Sequence, residues 1–242
     1  MRGVILAAGQ GQRLRPDTDE LPKTLLPIDA AWTILDSIVF ALSTVDVNEI
    51  AIVVGHAADK IRRERDRLED TYTVKITFVE NDHPEWNNAY SLWTAREHYK
   101  DGAILVNGDT VHPWSVEDRL LEEPNDPPRL LLAMDDRKTL TEEAMKIGVG
   151  HSVMPLISKQ QPVDRAMGEY IGVSLIPAEL ADDLTDALKT VYTRDRTLYY
   201  EDAFQLLAFR AKVGTVSIGD VAWTEVDDHA DWALAKKIAK DL

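Results

Sequence analysis

The stretch Val4 to Lys23, VILAAGQGQRLRPDTDELPK, constrains the chain more than any other. Four apolar residues, Val4 to Ala7, read as a short buried strand, and a loop holding Gly9 and Gly11 follows at once. Glycines let backbone N–H groups approach an anion closely. Arg13 and Arg15 offer planar, permanently charged donors for phosphate oxygens, and Lys23 adds a mobile point charge. The segment reads as a phosphate cradle at the end of a strand, against the plainer reading of an uncommitted turn. Two better-known glycine loops do not fit. A P-loop ends in Gly-Lys-Ser/Thr, which is absent, and the dinucleotide fingerprint needs a third glycine where this chain has Leu14.

Downstream, strand and helix patterns alternate. Ala31 to Val45 carries Ile34, Leu35, Ile38, Val39 and Leu42 at helical spacing, with Asp29 as the expected cap. Ile50–Val54 and Val74–Val79 read as strands around a charged helix, Ala57 to Leu68, whose KIRRERDR run reads as a solvated face. A polar loop, Glu80 to Asn88, leads into a helix at Ala89–Tyr99 and a buried strand at Ala103–Val106 that ends in Asn107-Gly108-Asp109. Four strands alternating with helices predict a doubly wound sheet whose strand C-termini line the ligand crevice. After residue 112 the rhythm changes. Strands are expected at Leu130–Met134, Lys146–Gly150, Val153–Ser158, Tyr170–Ile176, Val213–Ile218 and Trp223–Val226. Helices are expected at Pro177–Val191, Tyr199–Arg210 and Asp228–Lys240. The reading is one domain, 1–242, whose two halves, 1–112 and 113–242, share a sheet. The last strands are expected to return to the first half.

Charge and composition exclude several classes. The net charge of −15 argues against a nucleic-acid or anionic-membrane partner, which needs a basic face. No cysteine is present, so disulfides, thiol catalysis and cysteine metal sites are ruled out. No apolar run approaches the roughly 20 residues of a membrane span, and the chain enters a strand within a few residues of Met1. A cytoplasmic protein is expected; the oligomeric state is open, with a homodimer allowed.

The whole string LAAGxGxRLxP…PK resembles the signature of the sugar-phosphate nucleotidylyltransferases, with Leu6, Ala7, Ala8, Gly9, Gly11 and Arg13 in the nucleotide-binding positions. Asp109, in VNGD, and Asp227, in EVD, look like that family's two metal-binding positions, with Glu225 and Asp228 close enough to be confused with the latter. Two carboxylates suit Mg²⁺, although a strand-end aspartate is as readily a turn or cap residue. In NDHPEWNNAYSL, Asn81, Asn87 and Asn88 offer the donors and acceptors that a nucleobase edge requires. This form of the loop resembles the phosphocholine and inositol-phosphate cytidylyltransferases, although either of the adjacent asparagines is also a natural helix cap. By the same resemblance, Lys146, Lys159, Glu169, Tyr170, Tyr200, Glu201 and Asp202 border the acceptor. Surface, core and capping roles are the plain alternatives for these seven.

The resemblance implies a Rossmann-like α/β nucleotidyltransferase fold, a doubly wound mixed sheet with helices on both faces. It implies that the first half, 1–112, mainly binds a nucleotide and the second, 113–242, mainly an acceptor. It implies Mg²⁺-dependent transfer of CMP from CTP to a small phosphorylated or phosphonylated alcohol or polyol, with Arg13, Lys23, Asp109 and Asp227 as the catalytic set. The rivals are a sugar-1-phosphate nucleotidylyltransferase using UTP, GTP or dTTP, and a non-catalytic nucleotide-binding subunit. Lys146, together with Ala144 and Met145 where the choline enzymes place a tryptophan, argues against a quaternary ammonium acceptor.

Overall fold

A computed structural model describes residues 1–149 and 155–242 of the chain. Strand β1 (Arg2–Ala7) lies at the centre of a mixed sheet. It pairs in parallel with β2 (Glu49–Val54) on one side and β4 (Ala103–Asn107) on the other, and β3 (Lys75–Glu80) continues beyond β2. Successive strands therefore run one way from β1 to β3, and β4 lies on the opposite flank. That reversal opens a crevice at the C-terminal ends of β1 and β4, where ligands of doubly wound sheets bind.

The second half extends the same sheet. β9 (Ala166–Ile176) runs antiparallel between β4 and β6 (Leu130–Asp135), and β10 (Val213–Ser217) forms the edge beside β6. A hairpin of β7 (Lys146–Val149) and β8 (Pro155–Ser158) joins β9 off the main path. Gly150, Val153 and Met154, included in two expected strands, lie outside the described residues. The expectation for the last strands splits. β10 stays with the second half, whereas β11 (Thr224–Glu225) returns to pair antiparallel with β5 (Thr110–Val111).

Period-2 alternation on the central strands feeds two cores. Ile5 and Ala7 pack beneath α1 (Ile34–Thr44), α6 (Ser115–Glu122) and α9 (His229–Ile238). Val4 and Leu6 face α4 (Asn88–Thr94), α5 (Arg96–Tyr99), α7 (Ala181–Arg194) and α8 (Tyr200–Ala208). The result is helices on both faces of a mixed sheet.

Several local expectations change. Thr33, not Asp29, caps α1, with Asp36 closing the reciprocal capping box; Asp29 instead accepts from the Ala31 N–H within a turn. The charged helix divides into α2 (Ala58–Arg63) and α3 (Arg65–Tyr72). Its face is not simply solvated, because Arg67 forks onto the buried Asp36 at 2.7 and 3.1 Å. Helix α6 has no counterpart in the sequence reading. Among the described residues no helix is long and apolar enough to cross a membrane.

Candidate active site

The crevice beyond β1 and β4 contains a cavity of about 280 Å³. Gly11, at φ +59°, adopts the left-handed turn that starts its lower wall. Leu14, fully buried, anchors the single helical turn that follows, so that Arg13 is thrown outward. This anchor explains why Leu14 stands where a dinucleotide loop has glycine. Across the crevice, Gly108 leaves β4 against β1, and its N–H donates to the Leu6 carbonyl at 2.9 Å. A Cβ on Gly108 would stand 2.5 Å from that same oxygen, so only glycine lets the two strand ends abut.

Asp109 follows Gly108. Asp227 arrives by a different route from the one the sequence suggested. It does not leave a strand of the main sheet but extends from the β5–β11 ribbon, whose register sets Glu225 opposite Thr110. The Val226 N–H donates to the Asp109 carbonyl at 2.8 Å, which holds the two carboxylate-bearing segments together. Asp228 caps α9 and is thereby separated in role from Asp227.

The two carboxylates converge on one cation. The Lys23 Nζ lies 2.6 Å from an Asp109 oxygen and 3.0 Å from an Asp227 oxygen, and the Arg13 guanidinium meets the second Asp227 oxygen at 2.6 Å. Burial works to lower the Lys23 pKa, but the two carboxylates outweigh it and hold the ammonium well above its ordinary range. Burial likewise opposes ionisation of Asp227, which Lys23 and Arg13 overcome. Glu225 faces the same cavity. Its burial, and then Asp109 and Asp227, push its carboxyl up to about 8. Lys23 and Arg13 thus match the charges of Asp109 and Asp227, and Glu225 beside them is held toward its neutral form. No group of three or more His, Asp or Glu side chains among the described residues forms a ready-made metal cage. The donor set does fit Mg²⁺, which is commonly bound by one or two carboxylates with water and substrate phosphates, and the two carboxylates already share one cation position.

Leu6, Ala7, Ala8, Gly9, Gly11, Arg13 and Lys23 line the cavity, with Asn87, Asn88, Asp109, Lys159 and Asp227. Thr24, Trp86, Ser91, Asn107 and Tyr199 join them. Trp86 was not among the expected site residues; its signal was its place in the polar loop after β3. Asn107 could have been read from its position at the strand end beside Gly108-Asp109.

Other nominated residues have different work. Asn81 is buried, with its amide donating to the Ser91 hydroxyl (2.9 Å) and its carbonyl accepting from the His83 N–H (2.8 Å). The Asn87 and Asn88 side chains, although in the wall, are bonded to the Thr197 carbonyl and the Tyr200 N–H. Lys146 is fully buried and turned onto the carbonyls of Thr141, Glu142 and Ala144, at 3.4, 2.7 and 3.2 Å. It does not line the cavity, so the argument from its charge against an ammonium acceptor falls. Glu169 pairs with Lys138 at 3.2 Å. Tyr170 and Tyr200 are buried and share a hydroxyl contact of 3.2 Å. Asp202 accepts from the Tyr199 N–H at 2.8 Å and closes the capping box of α8. Glu201 lies outside the lining too. Burial pushes it up to about 7, and its Oε2 has no hydrogen-bond partner among the described residues. Of the seven residues expected to border the acceptor, Lys159 is the one that lines the cavity, with its Nζ 5.3 Å from the centre of the Tyr199 ring.

The model of the MobA-like NTP transferase domain family matches residues 3–199. The chain is similar to a CMP-5'-(3-aminopropyl)phosphonate synthase of Streptomyces rubellomurinus, with 28% identity covering 96% of this chain and 37% of the relative. It is also similar to a bifunctional IPC transferase and DIPP synthase of Aquifex aeolicus, with 26% identity over 97% of this chain and 50% of the relative. The chain thus spans half or less of the length of these two relatives. Among solved structures, the inositol-1-phosphate CTP transferase from T. maritima superposes with a TM-score of 0.77 at 22% identity, covering 100% of this chain and 97% of that one.

Proposed function

The chain belongs to the family of MobA-like NTP transferase domains, and on that premise we propose that it moves CMP from CTP to a small phosphorylated or phosphonylated alcohol or polyol, releasing pyrophosphate. The observation that carries this reading is the convergence of Lys23, Arg13, Asp109 and Asp227 beside the glycine loop, with Lys159 in the lining of the same cavity. The glycine loop with Arg13 and Lys23 suits a triphosphate, and Lys159 offers a charge for a second anion.

In this reading residues 1–112 mainly hold the nucleotide and residues 113–242 mainly hold the acceptor. The loop's backbone N–H groups, Arg13 and Lys23 hold the β- and γ-phosphates. Lys159 holds the acceptor's phosphate or phosphonate, one oxygen of which attacks the α-phosphorus in line as pyrophosphate leaves. No protein nucleophile is needed; catalysis is positioning and neutralisation of charge. Asp109 and Asp227 would hold Mg²⁺, which supplies charge neutralisation across the phosphates when bound. Lys23 then exchanges its carboxylate partners for phosphate oxygens and follows them during departure. Asn81 is engaged at both ends of its amide, and Asn88 has its Oδ1 held by the Tyr200 N–H. In this reading the Ser91 hydroxyl and the backbone groups of the loop after β3 read the base.

The test is pyrophosphate release with CTP and Mg²⁺ against phosphocholine, myo-inositol-1-phosphate, glycerol phosphate and 2-aminoethylphosphonate. Release that requires one of these acceptors supports the reading. Release only with UTP, GTP or dTTP and a sugar 1-phosphate would move the chain to the sugar branch, and none with any pair would favour a non-catalytic subunit.

A further inference from the structure

Tyr200 occupies a position that the proposed reaction does not use. It is fully buried at the start of α8, immediately after Tyr199, which lines the acceptor end of the cavity. The first N–H groups of a helix have no partner within it and are usually satisfied by a cap from their own segment. The Tyr200 N–H instead donates to Asn88 Oδ1, at 2.9 Å, in the base loop. Its phenol donates to Asn107 Oδ1, at 2.8 Å, at the end of β4 two residues before Asp109. Asn107 has little freedom to follow elsewhere, because Gly172, at φ +81°, packs so closely that a Cβ there would stand 2.7 Å from its amide nitrogen.

The base loop is fastened to the same segment at three further points. The Asn87 N–H donates to the Arg196 carbonyl at 2.9 Å, and the Asn87 amide donates to the Thr197 carbonyl at 2.8 Å. The Arg196 guanidinium lies 4.3 Å from the centre of the Trp86 ring. A buried N–H or phenol left without its partner loses its compensation for desolvation, so these contacts resist separation. A shift of the base loop must therefore move the start of α8, and Tyr199 with it.

Resting on the nucleotidyl-transfer reading above, we infer that Tyr200 couples the two substrate sites. Nucleotide bound at the base loop acts through Asn88 on the first turn of α8, and through the Tyr200 phenol on the Asn107–Asp109 strand end. Asn88 and Tyr200 are positioning residues in this scheme. Coupling of this kind is reciprocal, so an occupied acceptor site also favours the nucleotide.

Hydrogen exchange with CTP and Mg²⁺, without acceptor, tests the inference on the wild type, Asn88→Ala, Asn88→Asp and Tyr200→Phe. In the wild type, CTP should slow peptides covering 80–94 and 196–208, the latter by roughly three- to tenfold, the range of one net hydrogen bond. Asn88→Ala should keep the response at 80–94 and lose it at 196–208, and Asn88→Asp, which retains an acceptor oxygen, should restore it. Tyr200→Phe keeps the backbone bond and should keep the responses at 80–94 and 196–208, while the slowing that CTP produces at 103–111 in the wild type should shrink roughly three- to tenfold, the remainder coming from nucleotide and Mg²⁺ at Asp109. A wild type in which CTP slows 80–94 alone would overturn the coupling, as would an Asn88→Ala protein with an undiminished response at 196–208. An undiminished 103–111 response in Tyr200→Phe would overturn the phenol's part. If CTP slows neither 80–94 nor 196–208, the nucleotide reading fails and the coupling falls with it, a pattern distinct from loss of coupling alone.

Discussion

Replacing Lys23 with alanine should separate two roles of one side chain. The ammonium is largely buried and bonded to Asp109 and Asp227 at 2.6 and 3.0 Å. Charge-assisted bonds contribute about 1.5–3 kcal/mol each. The carboxylates are partly exposed, which places the combined loss of stability at about 2–4 kcal/mol. In the proposed transfer the same charge follows the departing pyrophosphate. Losing one preorganised donor of that kind costs on the order of a hundred- to a thousandfold in kcat. The loss should fall more on kcat than on KM for CTP, because the charge is needed most as the bond breaks. Without nucleotide the opposite sign is expected for metal. Lys23 occupies the point where the two carboxylates converge, so its removal should tighten binding of Mg²⁺ or Mn²⁺. Steady-state kinetics and metal titration calorimetry on the same variant provide both readings. A change confined to KM, or unchanged metal affinity with unchanged kcat, would refute the reasoning.

Four further outcomes are expected. Activity should vanish in EDTA and return with Mg²⁺, and Asp109→Ala should lose about a hundredfold or more in turnover; full activity of that variant would remove Asp109 from the mechanism. CTP should be preferred over UTP by more than about tenfold, since a mismatch at a buried base edge costs ~1–3 kcal/mol, and competition kinetics will show it. Burial raises the Asp36 pKa, but Arg67 and Thr33 outweigh it and leave the carboxyl below its ordinary value. Its contribution is therefore present above the unfolded pKa and lost as pH falls through the folded one; Asp36→Asn should lower stability by about 1–3 kcal/mol at pH 7 and flatten the acid limb of a urea-denaturation series. Lys146→Met should lower stability by about 1–3 kcal/mol in the same assay, because three carbonyls, that of Ala144 buried, lose their charged donor, while KM for the acceptor stays within about twofold if the side chain only shapes its loop.

The parts legible in sequence were those governed by local pattern. The alternation in β1 and the glycine loop beside it identified the sheet's centre and the cradle, because apolar period and glycine conformational freedom act within a few residues. Lys159 and Asp227 were legible only through resemblance, since their placement depends on pairings across the fold. Of the β5–β11 ribbon that delivers Asp227, β11 falls within the expected strand Trp223–Val226, but β5 is two residues long, too short for periodicity to register, so the pairing of the two was not legible. Asn81 and Lys146 do not line the cavity, and Asn88 lines it with its Oδ1 held by the Tyr200 N–H, for a common reason. A polar side chain in a loop looks equally suited to ligand or protein, and the choice is made by distant partners such as Ser91, the Tyr200 N–H and the folded-back carbonyls of residues 141–144. Arg67 follows the same rule, because its buried partner Asp36 lies in another helix.

The most direct test of nucleotidyl transfer follows two labels through one reaction. CTP carrying ³²P at the α-position, and separately at the γ-position, is incubated with the protein, Mg²⁺ and the phosphorylated or phosphonylated acceptor that gives the fastest pyrophosphate release. The α-label should move into the acceptor product, and the γ-label should appear in pyrophosphate. A γ-label on the acceptor, or an α-label that remains in CTP with every acceptor offered, would contradict the account.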